Sequence, residues 1–150
     1  MIFAALYVAI IVAVNVMFNQ GAWWANAATV CVGLGFIIRD YAQRDLGDKV
    51  LYATGLGVLL SFLMASPGVA VPSAIAFAVS ETADWYVVRR LWQREMWQRV
   101  LVSHLISVPL DSAVFLGGLV LGIGLPWSWP MLAQMVGLKT LALVVLWWRR

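Results

Sequence analysis

Charged residues, cysteine and histidine are all scarce in this sequence of 150 residues. Charged residues make up 11% of the chain, 63% of the residues are hydrophobic, and the mean hydropathy is +0.89. This composition excludes an ordinary soluble domain and indicates an integral membrane protein. With one cysteine and one histidine, the chain cannot form an internal disulfide and has too few soft ligands for a zinc or copper site.

Apolar runs separated by helix breakers predict an all-α bundle of six transmembrane helices. Their approximate limits are residues 2–18, 22–38, 50–66, 69–88, 100–122 and 131–148. Six helices of about 20 residues fill nearly the whole chain, so we expect a single transmembrane domain over residues 1–150. The first run lacks a basic region and a cleavage motif, which predicts a retained helix rather than a signal peptide.

The predicted connections are of two kinds. "NQGA", "SPG" and "GIGLPWSWP" carry no charge, whereas "RDYAQRDLGDK" and "VRRLWQREMWQR" carry most of it. The positive-inside rule therefore predicts that both charged loops and both termini are cytoplasmic. This prediction depends on nine basic residues: Arg39, Arg44, Lys49, Arg89, Arg90, Arg94, Arg99, Arg149 and Arg150. Tryptophans form the predicted interfacial belts, with Trp23, Trp24, Trp127 and Trp129 outside and Trp85, Trp92, Trp97, Trp147 and Trp148 inside.

Ionisable residues lie within the predicted spans at two depths. At about 1.5 Å per residue from the cytoplasmic boundary, Glu81, Lys139 and Asp111 lie roughly 12, 15 and 18 Å deep, near the midplane. Asp84 and His104 lie at roughly 7–8 Å and form a shallower layer. Because ionisable groups in a membrane are costly, such layers predict a functional site.

Helical phase places these polar residues on stripes roughly 100° wide. The fourth helix carries Ser73, Phe77, Ser80, Glu81 and Asp84, and the fifth carries His104, Ser107, Asp111, Phe115, Gly118 and Gly122. A helix presents such a mixture to a cavity or to a close neighbour. The small-xxx-small pair Gly118 and Gly122 favours internal packing, with a homodimer as the alternative.

Each functional interpretation has a structural competitor. Lys139 with Asp111 or Glu81 could form an ion pair that only sets helix register, and His104 alone is more often a packed interior histidine than a proton relay. We favour function because one lysine cannot neutralise three acids, and surplus buried acids need a ligand, water or proton.

Four stretches resemble, in order, the vitamin uptake transporter family, also known as the queuosine precursor transporters. They are "FIIRDYAQRDLGDKVLY", "PSAIAFAVSETADWYVVRRL", "VLVSHLISVPLDSAVFLGGLVLG" and "LKTLALVV". Asp40 and Gly47 match a family motif whose glutamate position is Arg44 here, and Lys139 matches the lysine of the family's last helix. The resemblance implies a six-helix carrier in the bacterial inner membrane, without a cofactor, that imports 7-deazaguanine bases such as preQ0 and preQ1 for the modification of tRNA or, alternatively, of DNA.

With that substrate, the residues predict specific contacts. A carboxylate can accept hydrogen bonds from both donors of a guanine-like edge, so Glu81 or Asp111 could bind it. The acid that does not bind this edge would serve the aminomethyl cation of preQ1, with Lys139 neutralising the remaining charge. Phe77, Phe115 or Trp85 could stack on the ring, and Asn15 could bind its carbonyl or ring nitrogens. Ser80 and Ser107 complete the predicted substrate site. The predicted gating or proton-coupling residues are Asp84, His104 and Asp40.

Other functional classes remain open at this point. The chain could be the substrate-binding membrane subunit of an energy-coupling vitamin transporter, a carrier for another purine-like compound, or an interaction protein. An intramembrane enzyme is not expected, because Gly-x-Ser-x-Gly and His-Glu-x-x-His motifs are missing. The expected partners are a small-molecule substrate and the lipid bilayer. We expect no direct binding of nucleic acid.

Overall fold

The computed structural model describes residues 2–18, 20, 22–64 and 67–144, and these residues form helices without any strand. The helices are α1 (Ile2–Phe18), α2 (Ala22–Leu46), α3 (Val50–Met64), α4 (Pro67–Arg90), α5 (Met96–Ile123) and α6 (Trp129–Thr140), with a 3₁₀ turn at Gly47–Lys49 between α2 and α3. The predicted all-α architecture is therefore confirmed for this part of the chain.

Helix α2 is longer than the sequence predicts, and this changes the position of a charged segment. The predicted loop that starts at Arg39 is helical as far as Leu46. The chain turns only at Gly47, whose φ of 59° lies in the left-handed region that glycine adopts readily. The second charged connection is also short, because α4 runs to Arg90 and α5 begins at Met96.

Within the described residues, two continuous stretches are long and apolar enough to cross a membrane, 23–64 and 96–123. Helices α1 and α6 are shorter apolar helices. Helix α4 has 24 residues, enough for a span, but its polar side chains lower its hydropathy. The chain is thus an all-helical membrane protein. Six crossings and cytoplasmic termini stay predictions, and Met1 and residues 145–150, with Trp147, Trp148, Arg149 and Arg150, lie outside the described residues.

The bundle has a charged end and an uncharged end. At the uncharged end lie the end of α1, the start of α2 and the connection between α5 and α6; at the charged end lie Gly47–Lys49 and residues 91–95. Trp23 and Trp129 at the uncharged end are 74% and 70% exposed, as expected for interfacial side chains.

Glycines permit close helix contacts at two places. A Cβ at Gly33 of α2 would overlap the backbone carbonyl of Lys139 on α6. A Cβ at Gly118 of α5 would lie 2.8 Å from Cβ of Pro72 on α4. Gly118 therefore packs inside the bundle, as predicted, and Gly33 allows α6 to bring Lys139 against α2.

Candidate functional site

All six helices line a cavity of about 410 Å³ that extends from the polar interior to the uncharged end of the bundle. Glu81, Asp111 and Lys139 lie at its deep end, and Phe18, Asn26 and Gln134 lie at the other. The remaining predicted site residues that line it are Asn15, Phe77 and Phe115. Part of each predicted polar stripe thus faces one common cavity: Ser73, Phe77 and Glu81 on α4, and Asp111 and Phe115 on α5.

Asp111 of α5 and Lys139 of α6 form a buried ion pair in the cavity wall. The Lys139 Nζ lies 2.5 Å from Asp111 Oδ2 and also donates to Ser112 Oγ at 3.0 Å. Ser80 of α4 donates to the other carboxylate oxygen, Oδ1, at 3.0 Å. The depth argument from the sequence therefore placed Asp111 and Lys139 correctly in one layer, and three helices converge on this carboxylate.

Glu81 lines the same cavity, but its ion-pair partner is Arg39. The Glu81 Oε2 lies 3.0 Å from Arg39 Nε, and Arg39 also donates to the backbone carbonyl of Glu81 at 3.2 Å. The prediction that Arg39 lies in a loop is wrong. Its side chain is fully buried, because α2 continues past it and carries it against α4.

Arg39 is the centre of a buried group that we call the Arg39 cluster: Arg39, Asp40, Gln43, Glu81, Asp84, Ser103 and Ser107. Its guanidinium Nη1 lies 3.1 Å from Asp84 Oδ2, 3.4 Å from Asp40 Oδ1 and 2.5 Å from Gln43 Oε1. Ser103 donates to Asp40 at 2.7 Å, and Ser107 donates to Asp84 at 3.1 Å. One arginine therefore serves three carboxylates. Of these, Glu81 alone is among the described residues that line the cavity.

Ser80 and Ser107, which the sequence predicts in the substrate site, lie away from the cavity wall. Neither Ser80 nor Ser107 is among the described residues that line the cavity. Ser80 holds Asp111 and Ser107 holds Asp84, so each hydroxyl orients an acid. The helical phase was correct, but both short side chains are fully buried between α4 and α5.

Aromatic side chains supply flat surfaces beside the acids. The Phe77 ring stacks on Tyr7 with ring centroids 6.5 Å apart, and Phe115 lines the cavity one helical turn from Asp111. The candidate Trp85 is wrong as a stacking residue. Its Nε1 donates to Asp48 at 3.1 Å at the charged end, and the Arg89 guanidinium lies over its ring.

Asn15 and a second amide pair lie towards the uncharged end. Asn15 donates to the Ile11 carbonyl at 2.8 Å and to Ser61 Oγ at 3.4 Å. Its amide oxygen can accept a hydrogen bond from a ligand. Gln134 of α6 donates to Asn26 of α2 at 3.3 Å, which links two helices where the cavity reaches the uncharged end.

His104 does not join the Arg39 cluster. Its Nε2 lies 3.2 Å from the Lys139 carbonyl oxygen, and its ring meets Phe36 edge to face at 6.1 Å between centroids. This placement links α5 to α6 and favours the packing interpretation over a proton relay. Among the described residues, no group of three His, Cys, Asp or Glu side chains could hold a metal ion.

Comparison with known proteins identifies a protein family whose model matches the chain. A family model described as "Putative vitamin uptake transporter" matches residues 1–148. No curated protein and no solved structure matches the chain.

Proposed function

Because the chain belongs to the vitamin uptake transporter family and is a multi-pass membrane transporter of a small molecule, we propose that it imports a 7-deazaguanine base such as preQ0 or preQ1. The bacterial inner membrane is the proposed location. Transport rather than catalysis is the activity that the family indicates. The observation that carries the substrate proposal is a cavity in which carboxylates and phenyl rings occur together.

The size of the cavity suits a small planar heterocycle. Its volume of about 410 Å³ lies near the lower end of the range of roughly 300–1,000 Å³ that is usual for small-molecule sites. Phe77 on α4 and Phe115 on α5 present apolar ring faces, and stacked aromatic rings attract one another beyond their buried area. A flat bicyclic base could therefore enter from the uncharged end and lie against them.

Glu81 is the proposed acceptor for the guanine-like edge. Both carboxylate oxygens of Asp111 already accept hydrogen bonds, from Ser80 and Lys139. Glu81 extends from the Arg39 cluster into the cavity, and its carboxylate can accept from a ring N–H and an adjacent amino group. Asp111 would then serve the aminomethyl cation of preQ1, because that charge needs a second acid and each Asp111 oxygen can accept one more hydrogen bond.

Lys139 and Asn15 would complete the recognition of the base. The ammonium group has three N–H donors, of which the described contacts to Asp111 and Ser112 use two. The third could donate to the ring carbonyl. Asn15 could bind from the opposite side, since it lines the same cavity on α1.

Asp40 and Asp84 are the proposed gating or proton-coupling residues. Their support is their burial beside Arg39, at the charged side of the cavity. His104 was predicted with them, but its contact with the Lys139 backbone gives it less support.

The lone cysteine offers a direct test of the substrate proposal, because Cys31 lines the cavity. In purified protein, we expect 7-deazaguanine, preQ0 or preQ1 to slow maleimide labelling of Cys31 and to raise the unfolding temperature. Adenine, which lacks the N–H and amino donor pair, is the matched control. The Cys31→Ser variant should show no labelling. If labelling and unfolding temperature are the same with and without the three bases, the substrate proposal is wrong.

Uptake by two variants tests the site assignment. Replacing Glu81 or Asp111 by Ala should abolish base-dependent uptake while membrane insertion persists. Uptake at the wild-type level in both variants would show that the base binds elsewhere.

A further inference from the structure

We propose that Glu81 exchanges Arg39 for the substrate, and that this exchange loosens the charged side of the bundle so that only ligands with two adjacent donors are transported. The proposal rests on the proposed function for the identity of the ligand. It adds a distinction between ligands that bind and ligands that pass through.

The first observation is that Glu81 belongs to the Arg39 cluster and also lines the cavity. It lines the cavity, whereas Arg39 is not among the described residues that do so. The Oε2 oxygen that Arg39 Nε contacts at 3.0 Å is part of the carboxylate that would accept the edge of the base. Arg39 reaches this carboxylate through Nε alone, whereas a ligand with two adjacent N–H donors can donate to both carboxylate oxygens, so the ligand and Arg39 compete for Glu81.

The second observation is that Arg39 can leave Glu81 without losing all its partners. Asp84 lies 3.1 Å from the guanidinium, Gln43 lies 2.5 Å away, and Asp40 lies 3.4 Å away. A buried arginine with a single acid would be left as an uncompensated charge if that acid were taken. The three carboxylates around Arg39 make the exchange feasible.

The third observation is that Arg39 and Gln43 join α2 to α4 at the charged side of the cavity. Arg39 donates to the Glu81 carbonyl at 3.2 Å, and Gln43 donates to the Trp85 carbonyl at 3.4 Å. These two hydrogen bonds are one helical turn apart on each helix. A shift of Arg39 towards Asp84 would weaken this junction between α2 and α4. A ligand shifts a conformational equilibrium only if it binds one state better than the other, and the contact with Glu81 would provide that difference.

Val88 provides a position from which to measure opening. It is fully buried, and it follows Glu81 and Asp84 on the same face of α4 towards the charged end. In a Cys31→Ser background, Val88→Cys would carry the only thiol. An impermeant maleimide applied from the charged side of sealed vesicles would label it when α2 and α4 separate.

Two bases that differ by one amino group test the donor requirement. We expect 7-deazaguanine to speed labelling of the Val88→Cys variant by about tenfold, and 7-deazahypoxanthine, which keeps only one donor of the pair, to leave it unchanged. Slower labelling of Cys31 in wild-type protein establishes that each base is bound. The proposal is wrong if both bases protect Cys31 and speed labelling of the Val88→Cys variant equally. It is also wrong if both bases protect Cys31 and neither speeds labelling of that variant.

A variant without ligand gives an independent test. Glu81→Gln weakens the contact with Arg39, so labelling of the Val88→Cys variant should be faster even in the absence of a base. Thr82→Val, at an exposed position next to Glu81, is the matched control and should change nothing. If Glu81→Gln does not fold, Arg39→Lys replaces it, because a lysine cannot contact Glu81 and Asp84 with the fork of an arginine. Unchanged labelling in the folded variant overturns the proposal, whatever the substrate proves to be.

Discussion

The Arg39 cluster and the Lys139–Asp111 pair are both buried ionic contacts between helices, yet they differ in charge balance. Among the described residues, Lys139 has one carboxylate partner, and two serines, Ser80 and Ser112, complete the contacts of the pair. Arg39 has three carboxylate partners. The balanced pair lies in the cavity wall, while the cluster reaches the cavity through Glu81.

This difference suggests a division of tasks. A cation with a single carboxylate partner has little freedom to exchange that partner without leaving an unpaired charge in the interior. A cation that is shared among three acids can change partner and remain neutralised. We therefore expect substitutions to affect the pair mainly through stability and binding, and the cluster through stability and conformational change.

The largest effect is expected for Arg39→Gln. Three buried carboxylates would lose their cation, and removal of one partner of a buried ion pair lowers the free energy of unfolding by about 3–5 kcal/mol. Denaturation of the detergent-solubilised protein measures this. The control is Arg94→Gln, at an exposed position between α4 and α5, which should stay within about 0.5 kcal/mol of wild type. Equal stability of the two variants would mean that Arg39 does not hold the cluster together.

The next effect is expected for Lys139→Met, at about 2–4 kcal/mol, because Asp111 keeps the hydrogen bond from Ser80. The double variant Lys139→Met with Asp111→Leu should recover most of this loss, since apolar side chains of similar size can replace a buried pair. The double variant should show no uptake of the base, although its stability is recovered. Recovery of uptake together with stability would show that the pair has only a structural role.

A smaller effect is expected where the backbone brings Lys139 into place. Gly33→Ala would force α2 and α6 apart, because its Cβ would overlap the Lys139 carbonyl. Overpacking of this kind lowers the free energy of unfolding by about 1–3 kcal/mol. Gly35→Ala is the matched control, since its Cβ would meet Ile10 at an ordinary 3.6 Å. Equal unfolding temperatures for the two variants would contradict the close approach of α2 and α6.

The smallest effect is expected for Asp40→Asn. Because three acids surround one arginine, removal of one negative charge should change the free energy of unfolding by less than about 1 kcal/mol. Asp111→Asn in the balanced pair should be clearly more destabilising, because it leaves Lys139 without a counterion. Comparison of the two variants by denaturation tests whether charge balance distinguishes the two regions. A larger loss for Asp40→Asn would reverse the comparison.

Much of this arrangement could be predicted from hydrophobicity and helical phase. Apolar runs gave α1 its bounds, and depth along the helices brought Asp111 and Lys139 together. Arg39 was missed because an arginine at the end of an apolar run, followed by charged residues, is typical of a loop. A signal was present, since Lys139 could not neutralise all the acids predicted inside the bundle and a second buried cation was required. Which carboxylates pair with Arg39 and which with Lys139 depends on tertiary contacts between helices, and no local sequence pattern encodes these contacts.

The excess of acid around Arg39 also has an electrical consequence. Asp40, Glu81 and Asp84 carry more negative charge than Arg39 can neutralise when all four are ionised, so the bundle interior favours a cation. A base with an aminomethyl cation carries one charge across the membrane, and a potential of 100 mV, negative inside, favours its entry by about 2.3 kcal/mol, or roughly 50-fold. A neutral base gains nothing from that voltage. If the proposed substrates are correct, membrane potential alone would accumulate the charged base and leave the neutral base at equal concentrations on the two sides of the membrane.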